Sequence, residues 1–186
     1  MKSLKNQFLI AMPSMAESSF SQTVTYICEH DSEGAMGLII NRPTEIPLNE
    51  IFEQLEIDSE TRAHAKQPIY SGGPVQTDRG FILHPAEAQK KWDSTIKIGT
   101  NISLTTSKDI LAAIARDEGP ENCLVALGYA GWSPGQLEQE LGDNFWILAP
   151  ANEDIIFNTP FHDRLDAAVA QLGISLEQLS PDAGHA

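Results

Sequence analysis

The most constraining feature of this sequence is an uninterrupted apolar run at residues 123–127, which reads Cys-Leu-Val-Ala-Leu. A strand that alternates apolar and polar residues buries one face, whereas a strand that is apolar throughout buries both. The run therefore predicts a central strand with a packed layer on each side. Every other element must supply either a neighbouring strand or part of a covering layer.

Short strand-like segments occur in hairpin-like groups along the chain, separated by turn residues. The predicted strands lie at residues 8–12, 23–29, 36–40, 69–70, 81–83, 96–98, 102–104, 145–149 and 155–157. The polar turn at residues 30–34 makes the second and third of these a hairpin, and Pro43 and Pro47 are expected to end it. Residues 128–131 are interpreted as a tight connection after the central strand.

Helical spacing of apolar residues is found in four places. Helices are predicted from Leu48, after a cap at Thr106, after a cap at Ser133 and from Thr159 to Gly173. The helices interrupt the strands irregularly rather than in strict alternation, which favours an α+β fold over a doubly wound one. The length of 186 residues predicts one domain, residues 1–186, with a frayed tail from about residue 176.

The chain is strongly acidic, with 12 Lys and Arg against 26 Asp and Glu, a formal charge of −14 and a pI near 4.6. Such a surface repels phosphate backbones and anionic membranes. No apolar run is long enough for a signal peptide or a membrane span, so a cytoplasmic location is expected. Cys28 and Cys123 lack zinc spacing and predict two free thiols rather than a disulfide. We expect no metal and no cofactor.

Several residues are candidates for a site, each with a structural alternative. Arg42, after a buried strand, is expected to pair with a carboxylate or to recognise an anion. Gly72 and Gly73 predict either a turn or a backbone wall that lets a ligand approach. His84 follows an apolar strand, where side chains line clefts; it could pair with Asp109, but a structural hydrogen bond is the commoner role.

The segment at residues 131–138, Gly-Trp-Ser-Pro-Gly-Gln-Leu-Glu, is the most informative one. A helix N-terminus beside an aromatic ring can hold a carboxylate or a phosphate through backbone N–H groups. The alternative is that Trp132 and Trp146 anchor the core and Ser133 only caps the helix. Glu138 and Glu140 are interpreted as a solvated helix face.

Taken together, the motifs resemble the YqgE/AlgH family of bacterial proteins over nearly the whole chain. The segments that carry the resemblance are 36–43 (MGLIINRP), 71–75 (SGGPV), 81–84 (FILH), 107–109 (SKD), 127–138 (LGYAGWSPGQLE) and 144–146 (NFW). The resemblance implies a cytoplasmic α+β domain whose mixed, mostly antiparallel sheet curls toward a barrel, with flanking helices. Its function is unsettled, and some members are labelled transcriptional regulators. The family pattern singles out a ligand or partner surface at Asn41, Arg42, Pro43, Gly72, Gly73, Pro74, His84, Gly131, Trp132, Gly135, Gln136 and Glu138.

Three function classes follow from these observations. The first is a binding or regulatory domain that acts through an unknown small molecule or protein; its oligomeric state is open. The second is a hydrolase-like enzyme that uses His84 with Asp109, Ser107 or Glu138. The third, a regulator that binds DNA directly, conflicts with the acidic charge; Lys90–Lys91 is the only basic doublet. We rank them in this order.

Overall fold

The structure is a computed structural model that describes residues 2–59, 66–86 and 92–179. The strands in this part of the chain are β1 (Gln7–Ala11), β2 (Val24–Asp31), β3 (Gly34–Ile39), β4 (Pro43–Pro47), β5 (Pro68–Ser71), β6 (Val75–Pro85), β7 (Thr95–Lys97), β8 (Ile102–Thr105), β9 (Leu124–Trp132) and β10 (Trp146–Pro150). The helices are α1 (Leu48–Gln54), α2 (Lys108–Ala115), α3 (Gln136–Gly142), α4 (Glu153–Phe157), α5 (Arg164–Ala170) and α6 (Leu176–Leu179). Short 3₁₀ turns lie at Pro13–Met15 and Phe161–Asp163.

The strands form one sheet with β9 near its middle. The order is β10-β1-β2-β3-β9-β6-β8-β7, and β5 joins β9 in parallel while β4 pairs with β5. All other pairs are antiparallel. The sheet curls into a half-barrel within a single compact domain, which confirms the predicted α+β class and the mostly antiparallel, mixed sheet.

Side chains of β9 pack on both faces of the sheet, as the apolar run predicts. Leu124 and Ala126 belong to a cluster on one face, to which α4 and α5 contribute Ile156 and Val169. Val125 belongs to a second cluster on the other face, beneath α1 and α2. A third cluster, which contains the two buried tryptophans, lies against α3. The central strand is thus covered on both sides by apolar layers.

A β-bulge in β2 reverses which residues face which side. Pairing with β3 shifts register between Ile27 and Glu29. Before the shift, Tyr26 and Cys28 contribute to the first cluster. After it, Glu29 is paired with Met36 and His30 faces α3. Bulges re-aim side chains in this way because one extra residue breaks the two-residue alternation.

Several predicted boundaries are wrong. Residues 128–131 are not a connection, because β9 continues through them to Trp132. Residues 155–157 lie in α4 rather than in a strand, because the Asn152 side chain accepts the Asp154 N–H and starts a helix. The hairpin does end before Pro43, as predicted, but Pro43 and Pro47 then bound a strand that was not predicted, β4.

Three helices also begin later than predicted. The N-cap of α2 is Ser107 rather than Thr106. That of α3 is Gly135 in the left-handed conformation, φ 75°, rather than Ser133. A 3₁₀ turn precedes α5, which begins at Arg164 rather than near Thr159. The tail predicted to fray from about residue 176 begins with α6, and residues 180–186 lie outside the described part of the chain.

None of the helices in the described ranges has the length and apolar character that a membrane span requires. Both thiols are free, with Cys28 fully buried and Cys123 partly buried. Burial raises the pKa of both thiols, that of Cys123 to about 12. Two neutral, unreactive cysteines follow, as predicted for thiols that pack as small hydrophobes.

Candidate functional site

A groove of about 870 Å³ opens on the face of the sheet that carries the first cluster. Strands β3, β9 and β6 form its floor. Its walls are the tip of the β2–β3 hairpin, the segment leading into β7, and residues 132–134, which connect β9 to α3. Residues that line it include Glu29, Asp31, Glu33, Met36, Val75, Arg79, Phe81, Asp93, Thr95, Ile96, Leu104, Tyr129, Gly131 and Trp132. The volume is within the range of small-molecule sites.

An aromatic pair forms the floor of the groove. The rings of Phe81 on β6 and Tyr129 on β9 meet edge to face, with centroids 5.6 Å apart. The Arg79 guanidinium lies over the Phe81 ring, 5.3 Å from its centroid. Arg79 lies on β6 two residues before Phe81, within the stretch between Val75 and Gly80 where register with β9 shifts. Gly131, without a side chain, leaves the floor open beside Tyr129.

The rim of the groove is acidic. Glu29 and Asp31 are turned toward it by the bulge in β2, Glu33 lies at the hairpin tip, and Asp93 lies on the opposite wall. Arg79 is the only Lys or Arg among the described lining residues. The groove therefore combines an apolar aromatic floor with a rim that attracts cations.

A sequence model of the family described as AlgH-like matches residues 8–177 of this chain. The chain belongs to the AlgH-like family. The match confirms the resemblance drawn from the motifs.

Relatives of this AlgH-like protein are similar over their whole length. A UPF0301 protein of Thioalkalivibrio sulfidiphilus is 53% identical, with 97% of this chain and 96% of the relative covered. A UPF0301 protein of Pseudomonas aeruginosa is 52% identical, with 98% and 96% covered. The solution structure of AlgH from Pseudomonas aeruginosa covers 100% of this chain and 97% of its own at 52% identity, with a TM-score of 0.81. A Corynebacterium diphtheriae crystal structure, 20% identical with a TM-score of 0.73, shares the fold; it covers 97% of this chain and 92% of its own.

Of the twelve residues that the family pattern singles out, Gly131 and Trp132 line the groove of this AlgH-like protein. The others are distributed over the fold. Asn41 bridges to the preceding loop, since its side chain accepts the Val24 N–H (2.9 Å) and donates to the Gln22 carbonyl (2.9 Å). Arg42 donates to the carbonyls of Ser19 and Ser21.

The contacts of Arg42 give it a role that neither of the two alternatives includes. Both described partners of its guanidinium are backbone carbonyls rather than a carboxylate, and burial lowers the pKa of the group. The Ser71 N–H donates to the Arg42 carbonyl at 2.8 Å, and Pro43 pairs with Tyr70 across β4 and β5. Neither of the two predicted partners, a carboxylate or an anion, is required, and Arg42 fixes the loop at residues 19–21 instead.

The segment that follows β5 contains Gly72, Gly73 and Pro74. It lies at the point where β3 replaces β5 as the partner of β9 on one side. The Gly72 N–H donates to Leu127 on β9 (2.8 Å), and its carbonyl accepts from Ile39 on β3 (2.9 Å). A Cβ on Gly72 would collide with the Gly128 carbonyl oxygen, and one on Gly73 with the backbone of Tyr129. What approaches this glycine pair closely is therefore another strand of the same chain.

His84 is 3% exposed on β6 and holds two neighbours together. Its Nδ1 lies 2.8 Å from the Pro85 carbonyl, so Nδ1 carries the proton, and its Nε2 accepts from Thr105 Oγ1 at 2.8 Å. Ser107 donates to Asp109, and Asp109 also accepts the N–H groups of Asp93 and Ile110. Burial raises the pKa of Asp109, but these bonds outweigh it and hold the pKa below its usual value.

The third candidate partner of His84, Glu138, is engaged elsewhere. Glu138 Oε1 lies 2.7 Å from His30 Nε2, while His30 Nδ1 accepts the Leu4 N–H at 2.9 Å. His30 Nε2 is thus the protonated nitrogen and donates to Glu138. The bond of Glu138 to its own backbone N–H and the bond from His30 lower the pKa of the carboxylate. These partners do not favour the hydrolase-like alternative, because each proposed member has a structural partner of its own.

Glu140 is the residue that the sequence interpretation misses most clearly, because it is not a solvated residue of α3. Its Oε2 accepts from the indole N–H groups of Trp132 and Trp146, each at 2.8 Å, and its Oε1 accepts from Gln136 at 2.9 Å. The two indole rings meet edge to face at 6.0 Å. Gln136 also accepts the Ser133 N–H at 2.9 Å. These bonds hold the Trp132 side chain in place where it belongs to the third cluster and also lines the groove.

The groove residues that sequence reasoning missed are Arg79, Tyr129 and the acidic rim. The two-residue spacing of Arg79 and Phe81 indicates that they share one face of β6. The register shift with β9 in the same stretch has no sequence signal. In the described ranges no group of three or more His, Cys, Asp and Glu side chains could hold a metal ion.

Proposed function

We propose that this AlgH-like protein is a bacterial cytoplasmic binding domain that acts in regulation by holding a ligand or partner in the groove. The observation that carries the proposal is the groove itself, about 870 Å³ with the Phe81–Tyr129 pair as its floor and carboxylates at its rim. Concave, largely apolar surfaces with a few convergent polar groups are the usual sites of recognition. Two free thiols support the location, since reducing compartments keep cysteines unpaired.

The fixed side chains of the wall beside Trp132 support the binding proposal. Glu140 fixes the Trp132 indole, and the contact of Glu138 with His30 joins α3 to β2. A pre-formed wall lowers the entropy cost of binding, because its side chains are ordered before a partner arrives. In this proposal the singled-out residues Gly131 and Trp132 contact the partner, and Gly135, Gln136 and Glu138 hold the wall in position.

Photo-crosslinking in cells tests whether the groove is occupied. Benzoylphenylalanine is introduced at Ser133, which is exposed and lines the groove, and as a matched control at Phe145, which is exposed outside it. We expect a reproducible adduct, seen as an added mass on the intact protein, at Ser133 and none at Phe145. Equal labelling at the two positions, or no adduct at Ser133, contradicts the proposal.

Hydrolytic activity provides the opposing test. The purified protein is assayed against a panel of ester, phosphoester and peptide substrates, with His84→Gln as the comparison. We expect no turnover above background for either protein, because His84 is held between Pro85 and Thr105. Turnover that depends on His84 would replace the binding domain with the hydrolase-like alternative.

A further inference from the structure

Among the strands that the structure describes, β7 is an edge of the sheet, and it lies along the groove. It pairs with β8, ends the strand order, and all three of its residues are exposed. Ile96 pairs with Leu104, which lines the groove, so the Ile96 side chain projects to the same face; it is 38% exposed. An apolar side chain and an open strand edge therefore occur together at one wall.

Hydrogen bonds to β8 fix which backbone groups of β7 point outward. The Thr106 N–H donates to Ser94 at 3.0 Å, and the Ile98 N–H donates to Ile102 at 2.9 Å. In an antiparallel ladder, hydrogen-bonded and non-hydrogen-bonded pairs alternate. Ser94, Ile96 and Ile98 therefore turn their backbone groups toward β8, and the two residues between them turn their N–H and C=O groups away from it. Thr95 and Lys97 thus present the outward donors and acceptors that an added strand requires.

The charge of the groove indicates the composition of that strand. Among the described lining residues there are four carboxylates and one basic side chain, Arg79. Two of the carboxylates, Asp31 and Glu33, lie on the hairpin opposite β7. Lys and Arg side chains on one face of an extended segment would meet these carboxylates, while apolar side chains would meet Ile96 and the aromatic floor. A second copy of this chain, also at −14, would be repelled from the same rim.

We propose that the occupant of the groove is an extended, basic segment of a partner protein, which adds to the edge of β7 as an antiparallel or parallel strand. The proposal rests on the proposed function and specifies its partner class. Backbone bonds to Thr95 and Lys97 supply the register, and the acidic rim selects lysine and arginine side chains. This mode of recognition needs no helix or basic surface on the AlgH-like protein itself.

The experiment uses the full chain and an eight-residue peptide that alternates lysine with valine and threonine. Three probes accompany it: the same peptide with glutamate for lysine, the same peptide N-methylated at alternate backbone nitrogens, and spermidine. Binding is followed by isothermal calorimetry and by amide NMR shifts. We expect the basic peptide to bind with a micromolar Kd at 50 mM salt and roughly tenfold more weakly at 300 mM, because salt screens charges at an exposed rim.

A charge-matched pair of variants locates the interaction. The variant Asp31→Asn/Glu33→Gln/Asp93→Asn removes three rim carboxylates, and Glu50→Gln/Glu53→Gln/Glu177→Gln removes three exposed carboxylates on α1 and α6. We expect the first to weaken binding by about tenfold, from three exposed charge pairs of modest strength each, and the second by less than about twofold. Amide exchange at Thr95 and Lys97 should slow when the peptide is bound.

Each remaining outcome is decisive. Equal affinity for the N-methylated or the glutamate peptide, or for the two charge variants, overturns the strand proposal. If spermidine shifts groove amides and the peptide does not, the occupant is a small cation: the strand proposal fails and the binding function stands. If no probe shifts groove amides, the strand proposal fails; the Ser133 crosslink then decides separately whether the binding function fails with it.

Discussion

The Glu140 carboxylate joins donors from three places in the chain. It accepts from Trp132 at the end of β9, from Trp146 at the start of β10 and from Gln136 one turn earlier on α3. Phe20 closes the cluster, with its ring 5.4 Å from that of Trp146 and 6.4 Å from that of Trp132. One side chain therefore sets the position of a helix against two strands, because each indole N–H has this carboxylate as its acceptor.

Replacing Glu140 by alanine tests that role. Two largely buried indole N–H groups would lose their acceptor, and a buried donor left unpaired costs about 1–3 kcal/mol. We expect Glu140→Ala to lower the free energy of unfolding by about 3 kcal/mol in urea titrations, within this range for the pair. Glu140→Gln keeps one acceptor oxygen and should lose less.

The matched control is Gln139→Ala, the exposed neighbour on α3, for which a change within about 0.5 kcal/mol is expected. A Glu140→Ala protein as stable as this control would show that water replaces the carboxylate without cost.

At the residue scale, the sequence predicts which side chains are buried better than it predicts their hydrogen-bond partners. Trp132 and Trp146 are core anchors, as one of the two interpretations has it. The spacing of Glu140 on α3 gives no sign of its acceptor role, because Trp146 reaches it only through the turn after the helix. Likewise, nothing near Arg42 in the sequence indicates the carbonyls of Ser19 and Ser21 as its partners.

Strand β9 changes partner along its length, and Gly72 lies at the exchange. Toward the start of β9, Tyr70 of β5 pairs with Ala126 in parallel; toward its end, Gly37 of β3 pairs with Ala130. The backbone of Gly72 bonds to β9 through Leu127 and to β3 through Ile39. Three backbones can meet here only because Gly72 lacks a side chain and Gly128 opposite it adopts φ 73°.

We therefore expect Gly72→Ala to be severely destabilising, by about 3 kcal/mol or more, because its Cβ meets backbone rather than a movable side chain. Thermal unfolding and urea titration measure the loss. Gly80→Ala is the control, because Gly80 lies on β6, pairs with Leu127 of β9 and has open space around an added Cβ. It should leave stability within about 1 kcal/mol.

If Gly72→Ala unfolds with the same midpoint as Gly80→Ala, then the close approach of the three strands is not required for the fold. Failure of the Gly72→Ala protein to accumulate in a folded form would agree with the expectation. In that case, the yield of folded protein purified under native conditions at low temperature is compared between Gly72→Ala and Gly80→Ala.

At the element scale, local signals identify most strands and helices but not where they end. The apolar run of β9 was evident, yet its continuation through Gly128 to Gly131 was not, since glycines in sequence indicate turns. Residues 155–157 are apolar and β-branched enough to predict a strand, but Asn152 provides a helix cap and α4 then packs its isoleucines on the core. Pairing with a distant strand decided the first case, and a local helix cap decided the second.

For the whole molecule, negative charge limits the partners available. Between Arg116 and Arg164 the chain has no Lys or Arg and nine Asp and Glu. This stretch contains all of β9, which forms part of the groove floor, and α3, which follows the lining residues Ser133 and Pro134. Association with DNA draws most of its affinity from phosphate contacts made by basic side chains.

We expect no saturable binding to mixed-sequence duplex DNA at protein concentrations up to the micromolar range, measured by fluorescence anisotropy at 50 mM salt. The physical reason is the −14 charge and the lack of a basic face along α3, whose charged residues, Glu138 and Glu140, are both acidic. Micromolar or tighter binding that weakens steeply with added salt would contradict this expectation and restore the direct DNA-binding class.

The fold class was predictable for a physical reason. Hairpin spacing, helix periodicity and a two-face central strand each depend on local composition, and they agree on an α+β sheet. The groove depends instead on a bulge in β2, a register shift in β6 and an open edge at β7. Such irregularities arise from how distant strands meet, so a single sequence carries little information about them.

The late position of β9 in the chain has a consequence for biosynthesis. Its neighbours β3 and β6 emerge from the ribosome well before it, and β1 must wait for β10. Until residue 132 is available, the nascent chain holds two strands whose shared partner does not yet exist. Sheets that depend on such distant pairing assemble slowly, and their unpaired edges favour association between chains. The order of the strands in the chain therefore leaves β3 and β6 each with an open edge until β9 has been synthesised.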